Sequence, residues 1–352
     1  MPLIKRKKSS MEIEIFAQSK ITEQIINEYI CDGQINIEIP ENINRVILVA
    51  SGSSYHCARY CANLFGSVAN IEARAIYSSE FMLQPKIADD EDILYIFITQ
   101  SGETTDTNAA LLRAKEHNIK TLCITNKENS SIWNSSQYHL ACHAGEEKSI
   151  AATKSFMSQL VCGVMLVLKF AQNKGIDVTH LIRDLNDIPG VIENSYKIHS
   201  KIKQAAKFLS KYKSIVMSAD GEMYPFAKEA SLKVKETSYI NTCSYILGEF
   251  MHGHVAVLNN SKSAMIYISN TELNYTAVKN LNNIKENYKP PIIIIGNRTN
   301  QIKSTYNLNI ECEKPIIKTF GILVIIQLLA LETALKLHRN VDKPHGLNKV
   351  VK

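Results

Sequence analysis

The stretch Asp92-Ile-Leu-Tyr-Ile-Phe-Ile-Thr-Gln-Ser-Gly-Glu-Thr104 divides into two parts of different chemistry. Its first half is an unbroken apolar run rich in β-branched and aromatic residues, the pattern of a strand buried on both faces. Its second half is a hydroxyl-rich turn around a glycine, and an Ala/Leu-rich helical pattern follows to His117. Upstream, Arg45-Val-Ile-Leu-Val-Ala-Ser-Gly-Ser-Ser54 repeats the scheme and runs into a helical pattern through Phe65. Downstream, Lys120–Thr125 is a further apolar strand, ending at Asn126.

The same succession recurs in the second half of the chain. Ser214-Ile-Val-Met-Ser-Ala-Asp-Gly-Glu222 leads into a helix to Lys233. Lys262-Ser-Ala-Met-Ile-Tyr-Ile-Ser269 meets Asn270-Thr-Glu-Leu-Asn274, then a helix near 277–286 and a strand at Pro291–Ile295. Strands alternating with helices require crossover connections and hence parallel sheets covered on both faces. The expected fold is α/β, two tandem doubly wound, flavodoxin-like domains. An N-terminal segment and helix at 1–29 precedes a first domain at 30–190, a second at 200–340 and a tail at 341–352.

Bulk composition agrees. The 352 residues are 45% hydrophobic and 21% charged, an ordinary globular balance with length for two cores. A net charge of +6 is too mild to indicate nucleic acid, and the basic run Lys5-Arg6-Lys7-Lys8 reads as a solvated N-terminus. The eight cysteines form no C-x-x-C pair, and no Cys/His group has ligand spacing. They read as reduced core thiols in a reducing compartment, with no metal site. No apolar signal region follows the basic start, so a cytoplasmic location is expected. Leu160–Ala171 and Phe320–Leu337 are strongly apolar, but Lys169, Gln327 and Glu332 interrupt them. They fall short of a bilayer span and read as buried helices rather than membrane segments.

Two turns carry candidate binding chemistry. Gly52-Ser53-Ser54 and Thr99-Gln100-Ser101-Gly102-Glu103-Thr104 each fall between a strand and a helix, at the strand ends where such sheets hold ligands. Helix N-termini offer free N–H groups, and hydroxyls beside a glycine let the backbone close on a phosphate. Without a P-loop lysine or a G-x-G-x-x-G, a small phosphomonoester fits better than a nucleotide. The same hydroxyls would also serve as helix caps. The corresponding second-half loop, Ser269–Asn274, has no glycine, so one phosphate pocket is expected rather than two.

Three further positions stand out. Lys233 and Glu236 share a helix face, as a solvated ion pair or as a carboxylate base held beside a cation. His252, in Gly248-Glu-Phe-Met-His-Gly253, sits in a turn before an apolar run at Val255–Leu258 that reads as a strand. Lys349 is three residues from the C-terminus, where a frayed lysine is the ordinary outcome.

Thr99-Gln-Ser-Gly-Glu-Thr-Thr-Asp-Thr107 resembles the phosphosugar loop of the sugar isomerase (SIS) domain. The likeness continues at Gly145, at Ile150-Ala-Ala-Thr-Lys-Ser-Phe156, at Glu229-Ala-Ser-Leu-Lys-Val-Lys-Glu236, at Gly248-Glu-Phe-Met-His252 and at Val341-Asp-Lys-Pro-His-Gly-Leu-Asn-Lys349. Order and spacing follow the isomerase half of the glucosamine-6-phosphate synthase family from about residue 40 onward. The resemblance implies that Ser53, Ser54, Thr99, Gln100, Ser101 and Thr104 hold the phosphate end, with Ile150, Ala152 and Asn348 along the sugar. It implies that His252 opens the sugar ring and comes from the neighbouring subunit of a homodimer. Glu236, beside Lys233, would move a proton between C1 and C2, and Lys349 would form an imine with the keto-sugar carbonyl. The tail would close over the site, with no cofactor and no metal.

The reaction implied is aldose–ketose isomerisation with loss of an amine, most simply glucosamine 6-phosphate to fructose 6-phosphate plus ammonia. A glutaminase domain like the synthase family's is absent here, so the synthase direction would need a separate glutaminase subunit. A fructosamine-phosphate deglycase is a further enzymatic alternative. A sugar-phosphate-sensing protein without chemistry is the alternative from another class, although Glu236 and Lys349 together would then have no use. Met251, His254, Ala152 and His345 depart from the synthase pattern, which points to altered contacts along the sugar rather than at the phosphate.

Overall fold

The computed structural model describes residues 7–297 and 299–350. Lys5 and Arg6 of the basic run therefore lie outside the described residues. The chain forms two compact units. One comprises Lys20–Gly145 and Lys154–Pro189; the other comprises the N-terminal residues through Ser19, Glu146–Thr153 and Gly190–Lys349.

The first unit is built on five parallel strands: β1 (Arg45–Ala50), β2 (Glu72–Tyr77), β3 (Ile93–Thr99), β4 (Lys120–Thr125) and β5 (Tyr138–Ala141). They lie in the order β2-β1-β3-β4-β5. In the second unit β6 (Ser214–Ala219), β7 (Asn241–Ile246), β8 (Ser263–Ile268), β9 (Ile292–Gly296) and β10 (Tyr306–Asn309) take the equivalent order β7-β6-β8-β9-β10. All these pairings are parallel. Both sheets thus have the doubly wound 2-1-3-4-5 arrangement, and each has one switch point, where the chain leaves its first strand on one side and returns on the other. These lie between β1 and β3 and between β6 and β8.

Central strands are buried throughout: every residue of β3 and β8 is buried, as the apolar runs require. In the first unit Ile47, Tyr95, Phe97, Leu111 and Cys123 belong to one packed cluster, and in the second Val216, Met265, Leu281 and Ile294 do the same. The helices Lys154–Asn173 and Pro315–Lys336 are long and apolar enough to cross a membrane, but 89% and 94% of their apolar windows are buried. They are core helices, longer at their N-terminal ends than the apolar stretches alone suggested.

Two local expectations are corrected. His254–Asn259 is a 3-10 helix, not a strand. Val255 and Leu258 are its buried residues, and a three-residue turn puts both on one side. The cysteines are not all core: Cys31 is exposed and Cys243 and Cys312 are half-buried, whereas Cys57, Cys61, Cys123, Cys142 and Cys162 are buried.

Candidate functional site

The two hydroxyl-rich turns lie side by side at the first switch point. β1 and β3 are paired, with Ala50 opposite Ile98, so the turns leave adjacent strand ends. Helix α1 (Gly52–Ala69) begins at the first turn and α2 (Thr105–Glu116) at the second; neither has a side chain capping its first N–H groups. The hydroxyls are therefore not consumed as caps. Ser53 and Ser54 stand on the first turn of α1, and Ser54 Oγ bonds Gln159 Oε1 at 3.0 Å. In the second turn the Thr99 and Thr104 hydroxyls meet at 3.0 Å, and Ser101 Oγ accepts from the Glu103 N–H at 3.1 Å. Gln100 donates nothing here from its side chain; its carbonyl accepts from the Asn126 N–H at 3.3 Å.

Gly102 fixes the shape of this loop. Its φ is +69°, and a Cβ would collide with Ser130. Only glycine meets both demands. Ser131 fastens the loop from outside, donating from N–H and hydroxyl to the Glu103 carboxylate at 2.9 and 2.7 Å. A turn so braced, ringed by hydroxyls and helical N–H groups, suits a dianionic oxygen cluster.

In the second unit, helix α3 (Tyr224–Ser238) presents a charged cluster from an otherwise buried face. Lys233 is 1% exposed, and its Nζ lies 2.7 Å from Glu236 Oε2 and 3.6 Å from Glu229 Oε1. Burial pulls the Lys233 amine down, but Glu236 and Glu229, the hydrogen bond with Glu236 and the more distant Glu147 outweigh it. The net effect holds Lys233 above the ordinary lysine value. Lys233 is thus held as an ammonium, unsuited to attack a carbonyl and placed as the cation beside Glu236. The Glu236 side chain retains 22% exposure, enough for its second oxygen to meet a substrate.

Glu147 extends this cluster and was passed over in the sequence, where it stands unmarked between Gly145 and Ile150. Its side chain is fully buried. It accepts from the Thr153 N–H at 2.9 Å and the Thr153 hydroxyl at 3.2 Å, and it pairs with Lys349 Nζ. Lys349 also donates to the Ser149 carbonyl at 2.8 Å. The tail is therefore docked, not frayed. Carboxylate 236 and amine 349 thus lie in two ion pairs of the same unit, Glu236–Lys233 and Glu147–Lys349, and Glu147 is the least of the charges that raise Lys233. Nothing local in the sequence marks Glu147.

The other predicted residues fall differently. Ile150 and Ala152 are half-buried on the Glu146–Thr153 loop, and the Ile150 N–H reaches the Asp342 carbonyl at 3.1 Å. Asn348 is exposed. His252 follows the short helix Leu247–Phe250; its ring is exposed and makes no hydrogen bond or ion pair with the cluster among the described residues. No group of His, Cys, Asp and Glu able to hold a metal occurs among the described residues.

At the second switch point, between β6 and β8, chemistry is reversed. Asp220 accepts from the Tyr267 hydroxyl at 2.9 Å and the Leu247 N–H at 3.1 Å. Asn270, 4% exposed, donates to Glu222 at 2.8 Å and to Thr319 at 3.2 Å. Burial and Asp220 push the Tyr267 phenol far up, so it stays a donor. Two carboxylates with internal partners occupy the place that the first unit leaves to hydroxyls.

Comparison with known proteins places the chain. Residues 41–169 and 208–336 each match the SIS domain. A glutamine–fructose-6-phosphate aminotransferase (isomerizing) of Campylobacter jejuni is 33% identical over 97% of this chain and 58% of that protein. Its counterpart in Bacteroides thetaiotaomicron is 32% identical over 88% of this chain and 51% of its own length. The chain thus spans little more than half the length of these relatives. Among solved structures, the C-terminal domain of glucosamine-fructose-6-phosphate aminotransferase from Francisella tularensis has a TM-score of 0.91 at 25% identity, covering 96% of this chain and 99% of that one. Glucosamine-6-phosphate deaminase from Thermotoga maritima has a TM-score of 0.78 at 22% identity over 97% and 99% of the two chains, a likeness of fold.

Proposed function

Because the chain belongs to the SIS domain family, with two copies of the domain, we propose that it is a phosphosugar isomerase that deaminates an amino-sugar phosphate, converting glucosamine 6-phosphate and water to fructose 6-phosphate and ammonia. The observation that carries this reading is that one unit holds a carboxylate base on a buried ammonium, Glu236 on Lys233, and an amine on a buried carboxylate, Lys349 on Glu147. A base and an amine each held by its own partner are what an isomerisation followed by imine exchange needs.

The steps follow from those groups. The braced hydroxyl turns take the phosphoryl end. His252 promotes ring opening and, in this reading, comes from the second subunit of a homodimer. Glu236 removes the C2 proton of the open-chain aldehyde and returns it to C1, while the substrate's own ammonium gives a proton to O1, so that C1 becomes an alcohol and C2 a protonated imine. Lys349, having passed its extra proton to Glu147, adds to C2 and expels ammonia. Water then hydrolyses the Lys349 imine, releasing the ketose phosphate and restoring the amine. Lys233 remains charged throughout and steadies the carboxylates on either side.

The test is direct. The purified chain, given glucosamine 6-phosphate, should release ammonia and fructose 6-phosphate in equal amounts. Glu236→Gln should lower turnover at least about a hundredfold, near 3 kcal/mol of transition-state stabilisation, while sugar-phosphate binding persists. Undiminished turnover in that variant would remove Glu236 from the mechanism. For the shared site, mixing Glu236→Gln with His252→Ala chains should restore activity after subunit exchange; no recovery would place His252 elsewhere.

The identity to glutamine–fructose-6-phosphate aminotransferases favours a second reading, the reverse direction with ammonia from a separate glutaminase. Fructose 6-phosphate with ammonium, and then with a glutaminase and glutamine, tests it. Formation of glucosamine 6-phosphate only when the glutaminase is present would favour this second direction.

A further inference from the structure

The Glu146–Thr153 loop, which carries both acceptors of Lys349, is itself held by the N-terminal helix Ser10–Phe16. Glu14, 5% exposed, accepts from the Lys148 N–H at 2.5 Å, from the Ser149 N–H at 3.2 Å and from the Ser149 hydroxyl. Two consecutive N–H groups converging on one buried carboxylate fix the peptide plane between them. The carbonyl of that same Ser149 is the one that accepts from Lys349 Nζ at 2.8 Å.

The helix is tied to the site at two further points. Its first N–H groups, of Ser10 and Met11, donate to the Asp342 carboxylate, both at 2.8 Å, and Asp342 begins the tail that ends in Lys349. The second is indirect: Gln18, fully buried at the start of the following helix, donates to the Ile15 carbonyl at 3.1 Å and to Gln327 at 2.6 Å, and Gln327 donates to the Thr153 carbonyl at 3.1 Å. Loop, tail and helix therefore form a closed ring of hydrogen bonds, and Lys349 is bonded to its loop side. A buried carboxylate this well supplied with donors is costly to place, and packing alone would be met by an apolar side chain.

We infer that Glu14 is a positioning residue: it fixes Ser149 by its N–H and hydroxyl, the Ile150 N–H to the Asp342 carbonyl at 3.1 Å fixes the next peptide, and together these set the Ser149 carbonyl and so the orientation of the Lys349 amine. Asp342 does the same from the tail. The inference rests on the proposed role of Lys349 for its effect on turnover, but not for its effect on the amine itself.

Two measurements separate these. Lysine acetylation of the full chain, read by peptide mass spectrometry, should show Lys349 reacting several-fold faster in Glu14→Ala, Ser149→Ala and Asp342→Asn than in the unaltered chain, because its tether opens locally. Lys233, buried on the other side of Glu147, should stay unreactive in all of them, which excludes general unfolding. In the reaction with glucosamine 6-phosphate, the same variants should lose about tenfold to a hundredfold in kcat with KM unchanged, and Glu14→Gln, which keeps one acceptor oxygen, should fall between. Borohydride with fructose 6-phosphate should trap a Lys349 adduct less efficiently in each. Unchanged Lys349 acetylation in folded Ser149→Ala and Asp342→Asn overturns the inference whatever the reaction. A change in acetylation with no trapping even in the unaltered chain upholds the tether and sinks the imine role instead.

Discussion

The two switch points of this molecule share a topology and oppose each other in charge. At the first, adjacent strands open into Gly52-Ser53-Ser54 and the braced Thr99–Thr104 turn. Their helices start without a side-chain cap, and the Glu103 carboxylate is taken up by Ser131. At the second, Asp220 and Glu222 stand where those hydroxyls would be, already satisfied by Tyr267, Leu247 and Asn270. The difference teaches that the doubly wound sheet supplies a place and the loops decide what fills it. In one copy of the domain the switch-point turns carry hydroxyls; in the other they carry carboxylates already paired within the fold.

The largest effect should come from the charged cluster of the second unit. Lys233→Met removes the ammonium from between buried Glu229 and part-exposed Glu236, at a cost of about 3–5 kcal/mol, measurable by denaturant unfolding. The amine is held above its usual value, so its stabilisation is in place below the ordinary lysine pKa of 10.5 and lost as pH rises through the higher folded value. The deficit of Lys233→Met should therefore be constant from neutral pH to about 10 and should shrink only beyond that. A deficit that shrank near pH 8 would mean that Lys233 is not the ammonium described.

Gly102→Ala probes the hydroxyl-bearing switch point. A left-handed alanine pressed against Ser130 costs about 1–3 kcal/mol of strain, and the loop can relieve it only by shifting. Calorimetric affinity for glucosamine 6-phosphate should fall at least about tenfold. Asn270→Ala is the matching change at the carboxylate-bearing switch point. It should cost about 1–3 kcal/mol of stability and leave sugar-phosphate affinity unaltered. If Asn270→Ala weakened binding as much as Gly102→Ala, the two points would not differ as described. Smallest is a labelling experiment: the exposed Cys31 should react first with a thiol reagent, whereas Cys57 and Cys142 should stay protected until unfolding. Burial and neighbouring thiols push both of these far up, so little thiolate is available.

Much of the architecture was legible because central strands in parallel sheets are continuous apolar runs. β1, β3, β4, β6, β8 and β9 all announce themselves this way. The edge strands β2 and β7 do not. Glu72 and Arg74 of β2 and Asn241 and Ser244 of β7 face partly outward, since an edge has only one covered flank, and the run is broken. The hydroxyl turns were visible because glycine and serine after such a run are rare without a reason. Glu236 and Lys349 drew notice through family resemblance, not through local pattern. Glu147 and Glu14 went unread for a different reason: each acts through partners far away in the chain, Lys349 and Ser149 respectively. A carboxylate in a short helix or a loop looks solvated until the fold brings its donors.

The capping of the N-terminal helix by Asp342 also bears on how the protein is handled. Residues 10 and 342 touch, so the start of the N-terminal helix and the segment leading to Lys349 are neighbours on the second unit. An affinity tag ahead of Met11 would be attached to the helix that steadies Lys349, and one after Lys349 would load the tail itself. A tag on the exposed side of an internal loop is the cleaner choice for kinetic work.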